Sequence, residues 1–99
     1  MRLHPMKNIV IIAEQSLQAS VLATLDDLDV QHFTIFEVLG KGEHTSPETA
    51  YSKNIRIESI VSAHLMDEIL ERFQREHFGN KAIIIFVQDV EVVRHQKFL

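Results

Sequence analysis

The stretch Asn54–Val61, NIRIESIV, runs directly into Ser62–Phe73, SAHLMDEILERF, and the change of period between them decides the fold. In the first segment Ile55, Ile57 and Ser59 alternate with Arg56, Glu58 and Ile60, the two-residue period of a strand. In the second, Met66, Ile69, Leu70 and Phe73 recur at helical spacing. Ser62 is placed to act as an N-cap, since its hydroxyl can accept from an amide one turn later. Asp67 and Glu68 stand early in this helix and Arg72 and Arg75 late, the order that the helix dipole favours. Gly79 is expected to stop it.

Working outward, Gln31–Leu39 (QHFTIFEVL) reads as a strand with Phe33, Ile35 and Leu39 on one side and Thr34, Phe36 and Val38 on the other. Gly40-Lys41-Gly42 ends it. The polar, aperiodic stretch Glu43–Lys53 (EHTSPETAYSK) then reads as an exposed loop. Lys7–Ala13 (KNIVIIA) is a short apolar run of branched residues, a strand buried on both faces. Leu17, Val21, Leu25 and Leu28 follow at helical spacing, and Asp26-Asp27 sit badly with the dipole, so the helix should end near Leu28. Beyond Gly79, Ala82–Val87 (AIIIFV) is a second fully apolar strand. Gln88 and Asp89 should interrupt it, with Val90, Val92 and Val93 continuing as an extended tail. The order is β-α-β-β-α-β. The expected fold class is therefore α+β, a ferredoxin-like sandwich, formed by one domain over residues 1–99.

Composition narrows the function. The chain has 99 residues, 45% of them apolar and 24% charged, the balance of one globular domain. A net charge of -4 argues against a nucleic-acid binder, which needs a clustered basic face. Cysteine is absent, which rules out a disulfide framework, a thiolate metal knuckle and a thiol nucleophile. No apolar run reaches the roughly 18 residues of a membrane span. The opening MRLHPM is too short and polar for a secretory leader. A cytoplasmic protein is expected.

The topology carries a further implication. Two helices cover one face of the sheet, yet the first and last strands are apolar on both faces and the last should lie at an edge. A lone chain would expose an apolar sheet face and a bare edge, which soluble proteins avoid. Association of several copies through the bare face would bury both.

Few residues stand out for chemistry. Gly40-Lys41-Gly42 at a strand end lets a backbone approach an anion, although a plain turn is the commoner use of such a pair. Gly79-Asn80-Lys81 is a tight turn carrying a cation, and equally a helix stop before a strand. Arg94-His95-Gln96-Lys97 is a basic tail or a ligand clamp. The six histidines (His4, His32, His44, His64, His77, His95) form no close pair and read as scattered surface residues, with no metal site. No serine has a nucleophile-elbow context, and no acid, base and nucleophile assemble into an enzyme site. Glu37 and Glu58 flank Arg56 across neighbouring strands, which reads as cross-strand charge pairing. An RNA-recognition module shares the element order, but its stacking aromatics belong on the two central strands, here Lys7–Ala13 and Asn54–Val61, which have none.

Taken together, FTIFEVLGKG (Phe33–Gly42), NIRIESIV (Asn54–Val61) and FGNKAIIIFVQDVEVVRHQKF (Phe78–Phe98) resemble the PII-like trimeric signalling proteins, over about Met6 to Phe98. The first is similar to the strand leading into that family's T-loop and the second to the strand leaving it. The third is similar to its B-loop, last strand and C-terminal segment. The strand-and-tail spacing resembles most the SbtB-type, bicarbonate-transporter-associated subgroup. The resemblance implies a non-enzymatic homotrimer that holds an adenine nucleotide (AMP, ADP, ATP or cyclic AMP) in each cleft between subunits, with bicarbonate as a further ligand. It would regulate a membrane transporter for bicarbonate and be recruited to the membrane by it.

Carried onto this chain, the resemblance puts Thr34, Glu58, Ser59 and Ile60 near adenine and ribose. Gly40, Lys41 and Gly42, with Gly79, Asn80 and Lys81, would hold phosphate, and Arg94 would close the site. Glu43, His44, Thr45, Ser46 and Tyr51 would lie in the partner-binding T-loop. The chain departs from the nitrogen-sensing members in a shorter loop, one B-loop glycine and a thinned basic pair, which favours a mono-, di- or cyclic phosphate over a magnesium triphosphate. The alternative reading is a metal-responsive PII-like or CutA-like protein that uses His44 or His95.

Overall fold

The computed structural model describes residues 1–42, 51–79 and 82–94. The elements are β1 (His4–Glu14), a 3₁₀ turn at Gln15–Leu17, α1 (Gln18–Asp27), β2 (Thr34–Gly40), β3 (Ser52–Val61), α2 (Ala63–Glu76) and β4 (Ile83–Val92). All four strands form one antiparallel sheet in the order β2-β3-β1-β4. This is the α+β, ferredoxin-like β-α-β-β-α-β order.

The alternation in β3 sorts its two sides. Ile55, Ile57, Ser59 and Val61 are buried beneath the helices, opposite Ala13, Ile11, Ile9 and Lys7 of β1. Ile55, Ile57 and Val61, with Ile9, Ile11 and Ala13, meet Val21 and Leu25 of α1 and Ile69 and Phe73 of α2 in a single core. The other side carries Arg56, Glu58 and Ile60 and no helix. There Met6 and Val10 of β1 are buried, whereas Ile84 and Phe86 of β4 and Phe36 of β2 stay exposed. The bare apolar face inferred from sequence is thus present, and β4 lies at an edge.

Several boundaries differ from expectation for local reasons. β1 is longer at both ends, because β4 pairs it from His4 to Ala13. β2 begins at Thr34 rather than Gln31. β3 begins at Ser52, whose hydroxyl donates to the Gly40 carbonyl at 3.2 Å, so Ser52 and Lys53 belong to the sheet and not to a loop. β4 is not interrupted at Gln88 and Asp89. On an edge strand their side chains find cross-strand partners: Asn8 Nδ2 donates to Gln88 Oε1 at 3.2 Å, and Lys7 pairs with Asp89.

α1 ends at Asp27, as the acidic pair implied, and Arg72 of α2 offsets that acidity by pairing with Asp27. Donating a hydrogen bond to the Asp27 carboxylate holds the Arg72 guanidinium above its ordinary range. In α2, Ser62 Oγ accepts from the Leu65 amide at 3.1 Å, the expected cap. The helix stops before Gly79, not at it. The Phe73 carbonyl accepts from both His77 N and Phe78 N, at 2.8 and 3.1 Å, and no described glycine has positive φ. His77 is no surface histidine: it is 8% exposed, stacks on Phe73, and its Nε2 lies 2.8 Å from Thr24 Oγ1. Among the described residues no helix is long and apolar enough to cross a membrane.

Candidate functional site

The residues proposed for adenine and ribose divide between the two sides of the sheet. Thr34 of β2 stands opposite Glu58 of β3, and both are on the side without helices, together with Ile60. These three line a cleft of about 420 Å³ with Asn8, Gln31, His32 and Phe33. Ser59 points the other way. It is buried, and its hydroxyl donates to the His32 carbonyl at 2.8 Å, tying β3 to the segment that enters β2. Its side chain therefore takes no part in lining the cleft.

Electrostatics on the open side centre on Glu58. Its Oε1 accepts from Arg56 Nη2 and from Asn8 Nδ2, each at 3.3 Å. Arg56 also lies over the Phe86 ring, 5.7 Å from its centroid, a cation–π contact that bridges β3 to β4. Glu37 takes no part. It stands opposite Ile55, on the helix side of the sheet, so the anticipated Glu37–Arg56 pairing does not form.

The glycine-bearing segments lie elsewhere along the strands. Gly40 pairs with Ser52, and Lys41 and Gly42 follow it. Gly79 precedes β4 at the same end of the sheet, where the Glu14 amide donates to the Ala82 carbonyl at 3.3 Å. Gly40 has a packing reason as well: a Cβ there would stand 2.2 Å from Asn54 Nδ2. Arg94 is exposed beyond the opposite end of β4, past Val92, which pairs with His4. Nine residue steps separate Ile83 from Val92 along β4, about 30 Å at the rise of a strand. Within one chain, Arg94 and the Gly79 turn cannot touch the same small ligand.

Tyr51 is described and exposed. Glu43, His44, Thr45, Ser46, Asn80, Lys81 and His95 lie outside the described residues. No group of three metal-capable side chains occurs among the described residues.

The family profile described as Nitrogen regulatory protein P-II matches residues 6–97. The chain belongs to the P-II family. A PII-like signalling protein from Thermus thermophilus is 34% identical over 100% of both chains, with a TM-score of 0.81. CPII, a PII-like protein from Thiomonas intermedia solved with ADP and bicarbonate, is 31% identical over 99% of this chain and 98% of its own, with a TM-score of 0.84. CPII solved with ADP, AMP and bicarbonate is 31% identical over 94% of this chain and 98% of its own, with a TM-score of 0.80. No curated protein sequence matches the chain. As a P-II protein it is a signalling protein, and the CutA-like alternative draws no support from these likenesses.

Sequence reasoning missed Asn8 and His32 as cleft residues. Asn8 sits inside an apolar run, where nothing local distinguishes a cleft-facing amide from a solvated one. His32 stands in the irregular segment before β2, and only the pairing of β2 with β3 brings it beside Ile60.

Proposed function

We propose that this P-II protein is a homotrimeric sensor, one PII-like domain over residues 1–99, that binds an adenine nucleotide at each seam between subunits. One copy offers Gly40, Lys41, Gly42, Gly79, Asn80 and Lys81 to the phosphates. The neighbouring copy offers Thr34, Glu58 and Ile60 to the base and ribose, and Arg94 to close the site. What carries this reading is the Thr34–Glu58–Ile60 cleft in a chain 31% identical to a protein solved with ADP and bicarbonate. The separation of Arg94 from the Gly79 turn supports a site shared between copies, and the bare apolar face supports their association.

The chemistry fits the division of labour. Phosphate recognition uses backbone donors at glycine turns together with Lys and Arg. The acceptor-rich cleft suits the donor groups of an adenosine. The finer reading is an SbtB-type role in which the nucleotide and bicarbonate set the state of the loop that begins at Glu43. That loop then docks on a bicarbonate transporter in the cytoplasm. A ligand shifts the loop only by its differential affinity for the two loop states.

The direct test is a thermal-shift titration with AMP, ADP, ATP and cyclic AMP. A site saturated at 100 times its Kd should stabilise the fold by about 2.7 kcal/mol. In the same assay Lys81→Ala should weaken the phosphorylated ligands while sparing adenosine. Absence of any shift with all four nucleotides would overturn the proposal.

A further inference from the structure

The segment that enters β2 carries a titratable ring between two hollows. His32 lines the cleft of about 420 Å³ together with Thr34, Glu58 and Ile60. It also lines a second hollow of about 270 Å³ with Asp29, Ser59 and Leu65. Its carbonyl is pinned by the Ser59 hydroxyl at 2.8 Å, so the exposed residue projects from a fixed backbone. The charged side chains that line these hollows with it are both acidic. β3 presents Glu58, already engaged by Arg56, and the segment after α1 presents Asp29. β1, β2 and α2 present only Asn8, Thr34 and Leu65. Among the described residues no lysine or arginine lines either hollow. Arg94 is exposed beyond β4, three strands from β2, which is about 14 Å at the spacing of a sheet.

A nucleotide brings phosphate to this acidic place, and His32 is the one lining side chain that can turn cationic near neutral pH. Resting on the reading that the cleft takes base and ribose, we propose that nucleotide binding takes up a proton at His32, whose imidazolium then pairs with the phosphate next to the ribose. That phosphate is tied directly to the group in the cleft, whereas the outer phosphates reach the glycine turns of the neighbouring copy. One proton moves from solvent to the free ring nitrogen, and no covalent bond between ligand and protein forms. An anion at contact distance strengthens proton binding about tenfold or more. By linkage the proton strengthens anion binding by the same factor. Affinity therefore rises as pH falls through the imidazole range, and the site answers to protons as well as to nucleotide. The rival role for the ring is a contact with a second copy of the chain, which would be indifferent to phosphate.

Isothermal titration of the wild type and His32→Gln with ADP separates the two roles. His32 is exposed and its carbonyl, not its ring, takes the Ser59 bond, so the variant keeps the fold. The ratio of wild-type to variant affinity should fall about tenfold between pH 5.5 and pH 8.5 and end near one. Taking the ratio cancels the ionisation of the ligand's own phosphate. In two buffers of different ionisation enthalpy, the wild type should take up about half a proton per site more than the variant near the midpoint. Adenosine, which has no phosphate, should stabilise both proteins alike at every pH in a melting assay. Sedimentation should show the same assembly for both. A flat ratio with equal proton counts overturns the inference. So does a pH-dependent difference that adenosine shares, which would give the ring to the base, or loss of the assembly in His32→Gln, which would give it to a neighbouring copy. A wild type that binds no ADP at any pH sinks the nucleotide reading itself, which is a different result.

Discussion

Gly40 shows how one missing atom serves both packing and approach. A Cβ at this position would stand 2.2 Å from Asn54 Nδ2, across the β2–β3 pairing. Asn54 Nδ2 is the far end of a movable side chain, so alanine at Gly40 displaces it rather than breaking the strand. Gly40→Ala should cost roughly 1 kcal/mol of stability, at the low end for overpacking. Asn54→Ala on that background should recover most of it, read from denaturant midpoints at constant slope. A loss that persists in the double variant would show that the glycine is needed by the segment that follows it. The strand assignment at Gly40 rests on the same region, since Ser52 Oγ donating to the Gly40 carbonyl is what extends the sheet past the expected boundary.

Among the elements, α2 is the one with the strongest sequence signals, and its start is fixed by a single hydroxyl. Ser62 Oγ accepts from the Leu65 amide at 3.1 Å, which satisfies one of the helix's orphan donors. Ser62→Ala should cost about 1 kcal/mol and Ser62→Asp should largely restore it, measured by chemical denaturation. Equal loss in both variants would mean that packing of Leu65 and Met66, and not the cap, holds the first turn. The contrast with β4 explains what can be read in advance. Period and capping are local, so the strand–helix switch at Ser62, the apolar faces of α2 and the edge position of the last strand are all legible. The continuity of β4 through Gln88 and Asp89 is not, because it depends on Asn8 and Lys7 at the far end of the chain. The burial of His77 depends in the same way on Thr24 of the other helix. The two-residue period already groups Ser59 with Ile55 and Ile57, and the register of β2 against β3 adds that Glu37 stands opposite Ile55 on that same side, away from Arg56.

The whole molecule constrains the site most sharply through its length. Its long axis spans 51 Å, and β4 runs along the sheet between the Gly79 turn and Arg94. A site that uses both must draw them from different copies, and a closed ring of identical copies repeats that seam once per subunit. The arrangement predicts complementation. On the proposed trimer, the Lys81→Ala and Arg94→Ala variants should each bind ADP weakly. When the two chains are unfolded together, mixed one to one and refolded, each seam takes its Lys81 side from one copy and its Arg94 side from the next. About a quarter of seams then carry both intact residues by random assortment around the ring, and titration should recover tight binding at about that fraction of sites. If Lys81 and Arg94 acted within one chain, every chain would still lack one of them and mixing would restore nothing. Native mass spectrometry of the mixture verifies that mixed rings have formed, so an absence of restored binding in such rings counts directly against a site divided between copies.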